Sequence, residues 1–588
     1  TSPPGDASVG DVDGDGEYEI ILKWDPTNQC DNGQNGSQNY TGNVYLDCYK
    51  LNGTKLWRID LGVNIRAGAH YTQFMVYDLD GDGKAEVACK TAPGTIDGKG
   101  NNVIMGSDDP KADYRGTHGG KQGVIKTGPE YLTVFEGATG KELSTVAYEP
   151  SRNILSDSAW GDSFGNRSER YLACVAYLDG KKPSLVMCRG YYTAAYLCAW
   201  DFDGKELKKR WLHASTTKGK GAYGEGAHSL TVGDVDGDGC DEIVYGACCI
   251  DHDGSVLYRT GLGHGDAFHL GDFMPDREGL EVFMVHEEKS AAYGFEMRDA
   301  KTGEVLSGRK MGSDIGRGLC ADIDSLSRGA EYWSLAKFNM TSDGKYNSIT
   351  FDCNGDSIST KRPSVNFRTY WTGNLSEELQ EKGVISQWVN KTSSCTTVTD
   401  FVSTYGCGVN LIKDTPSLQA DILGDWREEC IYYDEATKSN LMIFSTPFTS
   451  PYRVPCLMHD HIYRMSICWQ NVAYNQPPHL GYYLRDYVKY QQSNPTGISR
   501  PVLTDEQSNV EIPFTLISDG IVIRYTDMDN ASSSIRVYSL DGLCVYHVTN
   551  QLQGSGEIKL EGLEGLKKGV YLLSVIVDGV KTVRKIIQ

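Results

Sequence analysis

No run of about 18 apolar residues occurs in the 588-residue chain, so a transmembrane helix is excluded. Positive charge is scarce. Lys and Arg total 57 against 78 Asp and Glu, and the formal net charge is −21. That balance argues against nucleic acid or an anionic membrane as partner. Helical periodicity is also scarce and is confined to short pieces such as NLSEELQEKG (374–383). No CxxC zinc pair occurs among the 17 cysteines, and their odd number requires at least one free thiol. Cys89, Cys188, Cys198, Cys248, Cys249, Cys430 and Cys468 fall inside apolar strands, where they read as small core hydrophobes. A disulfide such as Cys395 with Cys407 stays open. Hydrophobic content of 39% and charged content of 23% describe a globular, soluble chain. Its length calls for two or three domains or a repeat. The chain opens abruptly on TSPPGDASVGDVDG, and removal of a leader and of an upstream domain is expected.

What the chain does have is a repeated acidic loop. DVDGDGEYEIILKW begins at Asp11, DLDGDGKAEVACK at Asp78 and DVDGDGCDEIVYG at Asp234. Alternating carboxylates before a glycine form an oxygen cage suited to Ca²⁺. The sets are Asp11, Asp13, Asp15 and Glu19; Asp78, Asp80, Asp82 and Glu86; Asp234, Asp236, Asp238 and Glu242. The spacing begins like an EF-hand, but an apolar β-branched stretch follows instead of a helix, so each loop joins two strands. A solvated Asp-Gly turn is the plainer reading of one copy. Three copies favour several structural Ca²⁺ ions.

Degenerate relatives of the loop stand around Asp179 and from Asp272, Asp322 and Asp421. A second hairpin follows each, for example YKLNGTKLW, FEGATGKEL and WDFDGKEL. Repeated four-stranded units predict an all-β, eight-bladed β-propeller over residues 1–495. Seven blades follow from the loops, and YRMSICWQNVAYNQPPHLGYYL (463–484) is expected to supply the eighth. Segments 91–132 and 361–415 read as insertions, which emerge on a face where binding usually happens. NPTGISRP lies in a linker, 496–507, and 508–588 reads as a small C-terminal β-sandwich.

Five or six residues before each loop begins the innermost strand of a blade. Asp6, Gln73, His228, Asp266, Arg317 and Pro416 stand there, with His70, His264 and Lys413 slightly further back. The end of each second strand returns to the same mouth, at Asp25 and Glu287. Two imidazoles and two carboxylates, His228, His264, Asp266 and Glu287, make a metal site. Histidine suggests a transition metal and an oxygen-rich cage suggests Ca²⁺; ordinary hydrogen-bonded rim groups are the other reading. Arg317, Lys413 and Tyr474 in the same acidic protein suggest recognition of an anionic ligand.

NIRAGAHYTQFMVYDLDGDGKAEVACKTAPGTIDG, GLGHGDAFHLGD, LQADILGDWREE and WQNVAYNQPPH resemble the rhamnogalacturonan lyases of polysaccharide lyase family 11, over residue 5 to about 485. The resemblance implies a calcium-binding propeller, monomeric, that cleaves the rhamnogalacturonan I backbone of pectin by β-elimination at galacturonate. It implies a cleft Ca²⁺ held by Asp6, His228, His264, Asp266 and Glu287, with substrate contacts at Asp25, Asn410, Arg317, Lys413 and Tyr474. In such a reaction a base removes the C5 proton beside the carboxylate, and the O4 substituent leaves. Lys413 is the first candidate base, Tyr474 or a histidine the second, and Arg317 the carboxylate clamp. The tail is similar to the C-terminal sorting or accessory β domains of Bacteroidetes secreted proteins, which implies a secreted, periplasmic or cell-surface bacterial protein. The alternatives are a non-catalytic, calcium-binding glycan-binding propeller and a pectin glycoside hydrolase, for which Asp25 and Glu287 would supply the carboxylate pair.

Overall fold

The structure is a computed structural model. It describes residues 2–33, 40–338, 347–410, 412–493, 514–517, 520–539, 544–560, 570–577 and 580–587. The chain forms two compact units, Thr1–Val488 and Lys489–Gln588, and both are all-β. No helix among the described residues is long and apolar enough to cross a membrane.

In the first unit the described strands form eight separate four-stranded antiparallel sheets, none of them closed on itself, and one two-stranded hairpin. The first is typical. Pro4–Gly10 pairs with Glu19–Trp24, then Tyr45–Tyr49 and Lys55–Asp60 follow outward. Burial falls along that path. The first strand is buried throughout, while the fourth alternates buried and exposed residues. A strand covered on both faces therefore reads as a continuous apolar run, and the outermost alternates.

The first strands of the other sheets are Phe74–Tyr77, Ala173–Ala176, Gly226–Gly233, Phe268–Gly271, Gly318–Ala321, Phe367–Thr369 and Leu418–Ala420. Apolar side chains fill the space between neighbouring sheets. Ile21, Leu46 and Ile59 of the first meet Phe74, Val87 and Phe135 of the second. Ala7 and Leu22 of the first meet Leu418 and Ile431 of the eighth. The Ala7 amide also donates to the Ser417 carbonyl (2.9 Å).

One buried glutamate recurs and organises the loops. The side chain that opens the second strand accepts the backbone N–H of the residue seven before it. Glu19 does this for Val12, Glu86 for Leu79 and Glu242 for Val235. Glu281, Glu331, Glu378 and Glu429 each take two such N–H groups. A loop amide buried without a partner would be costly, and this carboxylate satisfies it.

That glutamate also marks a sheet the loop motif misses. Segment 361–415, read as an insertion, holds the complete seventh sheet, with strands Phe367–Thr369, Glu378–Glu381, Val384–Val389 and Ser394–Asp400. Its loop, WTGNLSEEL, has lost the aspartates and kept Glu378. The helical reading of 374–383 is likewise replaced by a strand and its turn.

The eighth sheet comes from Cys407–Gly408, Leu418–Ala420, Glu429–Asp434 and Leu441–Phe444, and not from 463–484. The latter segment opens with a helix, His461–Trp469, capped by Asp460 through the Tyr463 amide. The helix contains no Gly or Pro and is apolar on nearly every side, as expected of a helix buried all round. It packs against the first strands of sheets one to four. The two residues that follow the helix also satisfy edge groups of the second and eighth sheets. Asn471 bonds both backbone groups of Phe74, and Gln470 both of Gln419.

Segment 91–132 is an insertion between the second and third strands of the second sheet, carrying a hairpin of Arg115–His118 and Lys121–Ile125. Arg66 donates to its Gln122 carbonyl (3.1 Å), which holds it beside the segment leading to His70. All 17 cysteines are free, and Cys395 and Cys407 are not bonded to one another.

The second unit was expected to be a β-sandwich. Its described residues form one five-stranded antiparallel sheet built around the long strand Gly520–Ser539, with Ile535, Val537, Leu573 and Val575 in its core.

Candidate metal centre and cation cluster

The acidic loops share one geometry. Asp11 accepts the amides of Gly14, Asp15 and Gly16. Asp78 accepts those of Gly81, Asp82 and Gly83, and Asp234 those of Gly237 and Gly239. The remaining carboxylates gather above the turn. In the second loop burial and the neighbouring aspartates push Glu86 up to about 8 and Asp78 to about 6. In the third Glu242 rises to about 9 for the same reasons. Acids crowded this way fit a divalent cation. The first loop differs. Lys50 Nζ lies 2.6 Å from Asp13, 3.0 Å from Asp15 and 3.4 Å from Glu19, so the chain supplies a cation of its own there. At the third, His252 Nδ1 stands 3.3 Å from Asp238.

At the opposite end of the sheets four candidate ligands converge. His228, His264, Asp266 and Glu287 bring one ligand atom each within 4.8 Å of one another. His228 sits on the first strand of the fourth sheet. His264 and Asp266 precede the first strand of the fifth, and Glu287 follows its second strand. The Glu287 amide bonds the His264 carbonyl (2.9 Å), which ties the two segments together. Gly265 between the ligands is obligatory, because a Cβ there would lie 1.8 Å from the Val285 carbonyl oxygen.

Hydrogen bonds assign the histidine tautomers. Asp31 Oδ2 lies 2.7 Å from His70 Nδ1, so that nitrogen carries the proton. His70 Nε2 is then an acceptor, 3.0 Å from His228 Nδ1. His228 therefore donates from Nδ1 and turns a bare Nε2 toward Asp266 Oδ1, 3.2 Å away. Tyr192 OH also reaches that Nε2 (3.0 Å). His264 donates from Nδ1 to the Gly226 carbonyl. Its bare Nε2 is buried without a hydrogen-bond partner, 3.7 Å from Glu287.

Burial holds His264 down at about 3 and His70 at about 4, and lowers His228 as well. Burial and the Asp266 charge push Glu287 up to about 8, and burial raises Asp266. Two imidazole lone pairs thus face two carboxylates, and Glu287 keeps its proton at neutral pH unless a cation displaces it. The donor set fits a cation, with Asp31 and His70 orienting one ligand from behind.

Tyr474 stacks on His228 at 4.1 Å between ring centroids, and Lys413 Nζ lies 3.9 Å from the centre of the Tyr474 ring. Burial and the Arg317 charge lower the Lys413 ammonium. Arg317 donates to Asn366 (3.0 Å) and to the Asp266 carbonyl (3.3 Å), while its Nη2 is buried without a partner. Burial pushes the Tyr474 phenol up to about 12.

Other sequence expectations fall elsewhere. Asp6 is outside the four-ligand group. It pairs with Lys23, which faces it across the first hairpin, and accepts from Asn410 and Asn475. Asp25 lies 3.7 Å from the same Lys23, and burial pushes it up to about 6. Asp25 and Asn410 are both almost fully buried. Sequence reading missed Asp31, Arg170, Tyr191 and Tyr192. The tyrosines follow Ser184–Arg189, the second strand of the third sheet. The rule that placed Glu287 could have found them.

Residues 1–494 match the family described as "Rhamnogalacturonan lyase family 11, C-terminal domain". Residues 517–588 match the "Secretion system C-terminal sorting domain", and the protein is accordingly a secreted one. The chain is 53% identical over 494 residues to the rhamnogalacturonan exolyase YesX of Bacillus subtilis (strain 168), covering 82% of this chain and 78% of that one. It is 51% identical over 488 residues to the rhamnogalacturonan endolyase YesW of the same organism, covering 83% and 74%. The crystal structure of YesW superposes with a TM-score of 0.76 over 82% of this chain and 79% of that one, at 51% identity. The Bacillus licheniformis rhamnogalacturonan lyase PL11 superposes with a TM-score of 0.76 over 82% and 78%, at 52% identity. The chain belongs to rhamnogalacturonan lyase family 11.

Proposed function

We propose that this protein, acting as a monomer, cleaves the rhamnogalacturonan I backbone by β-elimination at galacturonate, on an eight-bladed propeller that holds several calcium ions. The eight sheets, with apolar packing between the first and the eighth, support the propeller. We place it at residues 1–495, the linker at 496–507 and the secretion domain at 508–588.

The observation that carries the chemistry is a juxtaposition. Lys413 and Arg317, neither in an ion pair among the described residues, stand beside the cage of His228, His264, Asp266 and Glu287. A divalent cation bound in that cage would draw charge from the galacturonate carboxylate and so acidify the proton on C5. Arg317 supplies a fixed positive charge for the same carboxylate. Lys413, held low by burial and by Arg317, is poised to take the C5 proton on Nζ. The C5–H electrons form the C4–C5 double bond, and the C4–O bond breaks toward the leaving sugar. Its oxygen takes a proton from solvent. Tyr474 packs against both Lys413 and His228.

Incubation with rhamnogalacturonan I should raise absorbance near about 235 nm, where 4,5-unsaturated uronates absorb. Chain shortening without that absorbance would mean hydrolysis, and no shortening at all would mean a binding propeller. Either result would overturn the proposal.

A further inference from the structure

We propose, building on the lyase reading, that the cavity beside the cation cluster is a second anion subsite. In it Arg362 and Lys361 would bind the carboxylate of another galacturonate on the same polysaccharide chain.

The cavity has a volume of about 900 Å³ and runs from Arg317 and Lys413 to Lys361, Arg362 and Trp388. That is room for more than one sugar unit. Its charge is opposite to that of the protein. The chain carries −21 overall, yet four cations line this one space. Its two carboxylates are already engaged: Glu381 accepts from Asn366 (2.6 Å) and from the Val365 amide (3.3 Å), and Asp414 lies 3.7 Å from Lys382.

None of the four cations is in an ion pair among the described residues, although the Glu381 charge acts on both Arg317 and Arg362. Arg362 donates only to the Pro363 carbonyl (2.9 Å), and Lys361 to the Thr392 carbonyl (3.3 Å). Several buried arginines elsewhere in this unit are ion-paired, while Arg66 meets only carbonyls. Arg189 has Glu130 and Glu169, Arg368 has Glu377 and Glu428, and Arg298 has Glu296. Desolvating a cation without a counter-charge is unfavourable. A cluster of unpaired cations around a cavity is therefore best accounted for by an anion that arrives from outside.

The ligand's chemistry fits. In a rhamnogalacturonan backbone the carboxylate recurs on alternate sugars, so a polymer lying across Arg317 presents another one further along. Guanidinium binds a carboxylate through two parallel hydrogen bonds.

The test is steady-state kinetics of Lys361→Ala, Arg362→Ala and the double variant. The substrates are the polymer and the shortest oligosaccharide that the wild type cleaves. Lys361 is exposed and Arg362 half-buried, and an unchanged tryptophan-fluorescence melt establishes that each variant is folded. With the polymer, KM should rise about tenfold at unchanged kcat for each lost charge-assisted contact, and its dependence on salt should weaken. With the shortest substrate, KM should not move. An unchanged polymer KM in the double variant would overturn the proposal. So would an equal rise for both substrates, which would assign the cavity to the reacting unit alone. Failure of the lyase reading itself is distinguishable: the wild type would then give no absorbance near 235 nm with either substrate.

Discussion

Replacing Glu331 by glutamine should change how stability depends on pH. Glu331 is fully buried, and one of its oxygens accepts the amides of Ile323 and Asp324, both at 2.9 Å. Burial, with the Asp324 charge adding to it, pushes the carboxyl up to about 8 from an unfolded value of 4.5. The folded state thus binds this proton more tightly than the unfolded chain does. The resulting stabilisation is complete below the unfolded value and declines as pH rises toward the folded one. One proton sets a slope of at most about 1.4 kcal/mol per pH unit, so at most about 4 kcal/mol is lost between pH 5 and 8. A glutamine carbonyl keeps the two backbone bonds but has no proton to lose. Urea unfolding followed by tryptophan fluorescence reads the first unit alone, because all ten tryptophans lie in it. Wild type should weaken more steeply than Glu331→Gln across that range, while Glu281 and Glu429 keep some slope in both, being raised to about 7 and about 8. Identical slopes would refute the assignment of a raised carboxyl to this position.

Lys413→Ala should lower kcat by roughly 10²–10⁴ with little change in oligosaccharide binding, and Lys413→Arg should not restore it, since a guanidinium stays protonated; a variant keeping most of the wild-type kcat would move the role to Tyr474 or His264. His70→Ala removes one of the two partners of His228 Nδ1 and leaves the Tyr191 hydroxyl (3.0 Å), and terbium luminescence titrated into the cleft should report about 10–100-fold weaker metal binding; unchanged affinity would deny His70 a positioning role. Stripping divalent cations with EDTA should lower the melting temperature markedly through the loops at Asp78 and Asp234, and an unchanged melt in a fully metal-free sample would count against calcium there. A chain truncated after Ser493 should keep its turnover, whereas a folded but inactive truncation would contradict the proposed independence of the C-terminal domain.

The acidic loops, the apolar strands beside them and the small set of mouth residues were legible in the sequence because each is a local pattern. A hairpin has a two-residue period, so a residue at the start of one strand and another at the end of the next must share an end of the sheet. That rule was enough to bring His228, His264, Asp266 and Glu287 together. It could not reveal the seventh sheet, where the aspartates are gone and only Glu378, silent as a motif, performs the same capping. Nor could it place His461–Trp469, whose apolar run suits a strand or a helix equally. Only its position against the first strands of four sheets decides for a helix, and the amides that follow it satisfy edge groups of the second and eighth. Asp6 shows the same limit. Its spacing matched the other mouth residues, but Lys23 faces it across the hairpin, and a buried carboxylate takes the nearest cation. Which cations stay unpaired is likewise a property of the whole fold. Arg317, Arg362 and Lys413 look like any basic residue in the chain. That none of them forms an ion pair among the described residues is decided only once the sixth, seventh and eighth sheets are side by side.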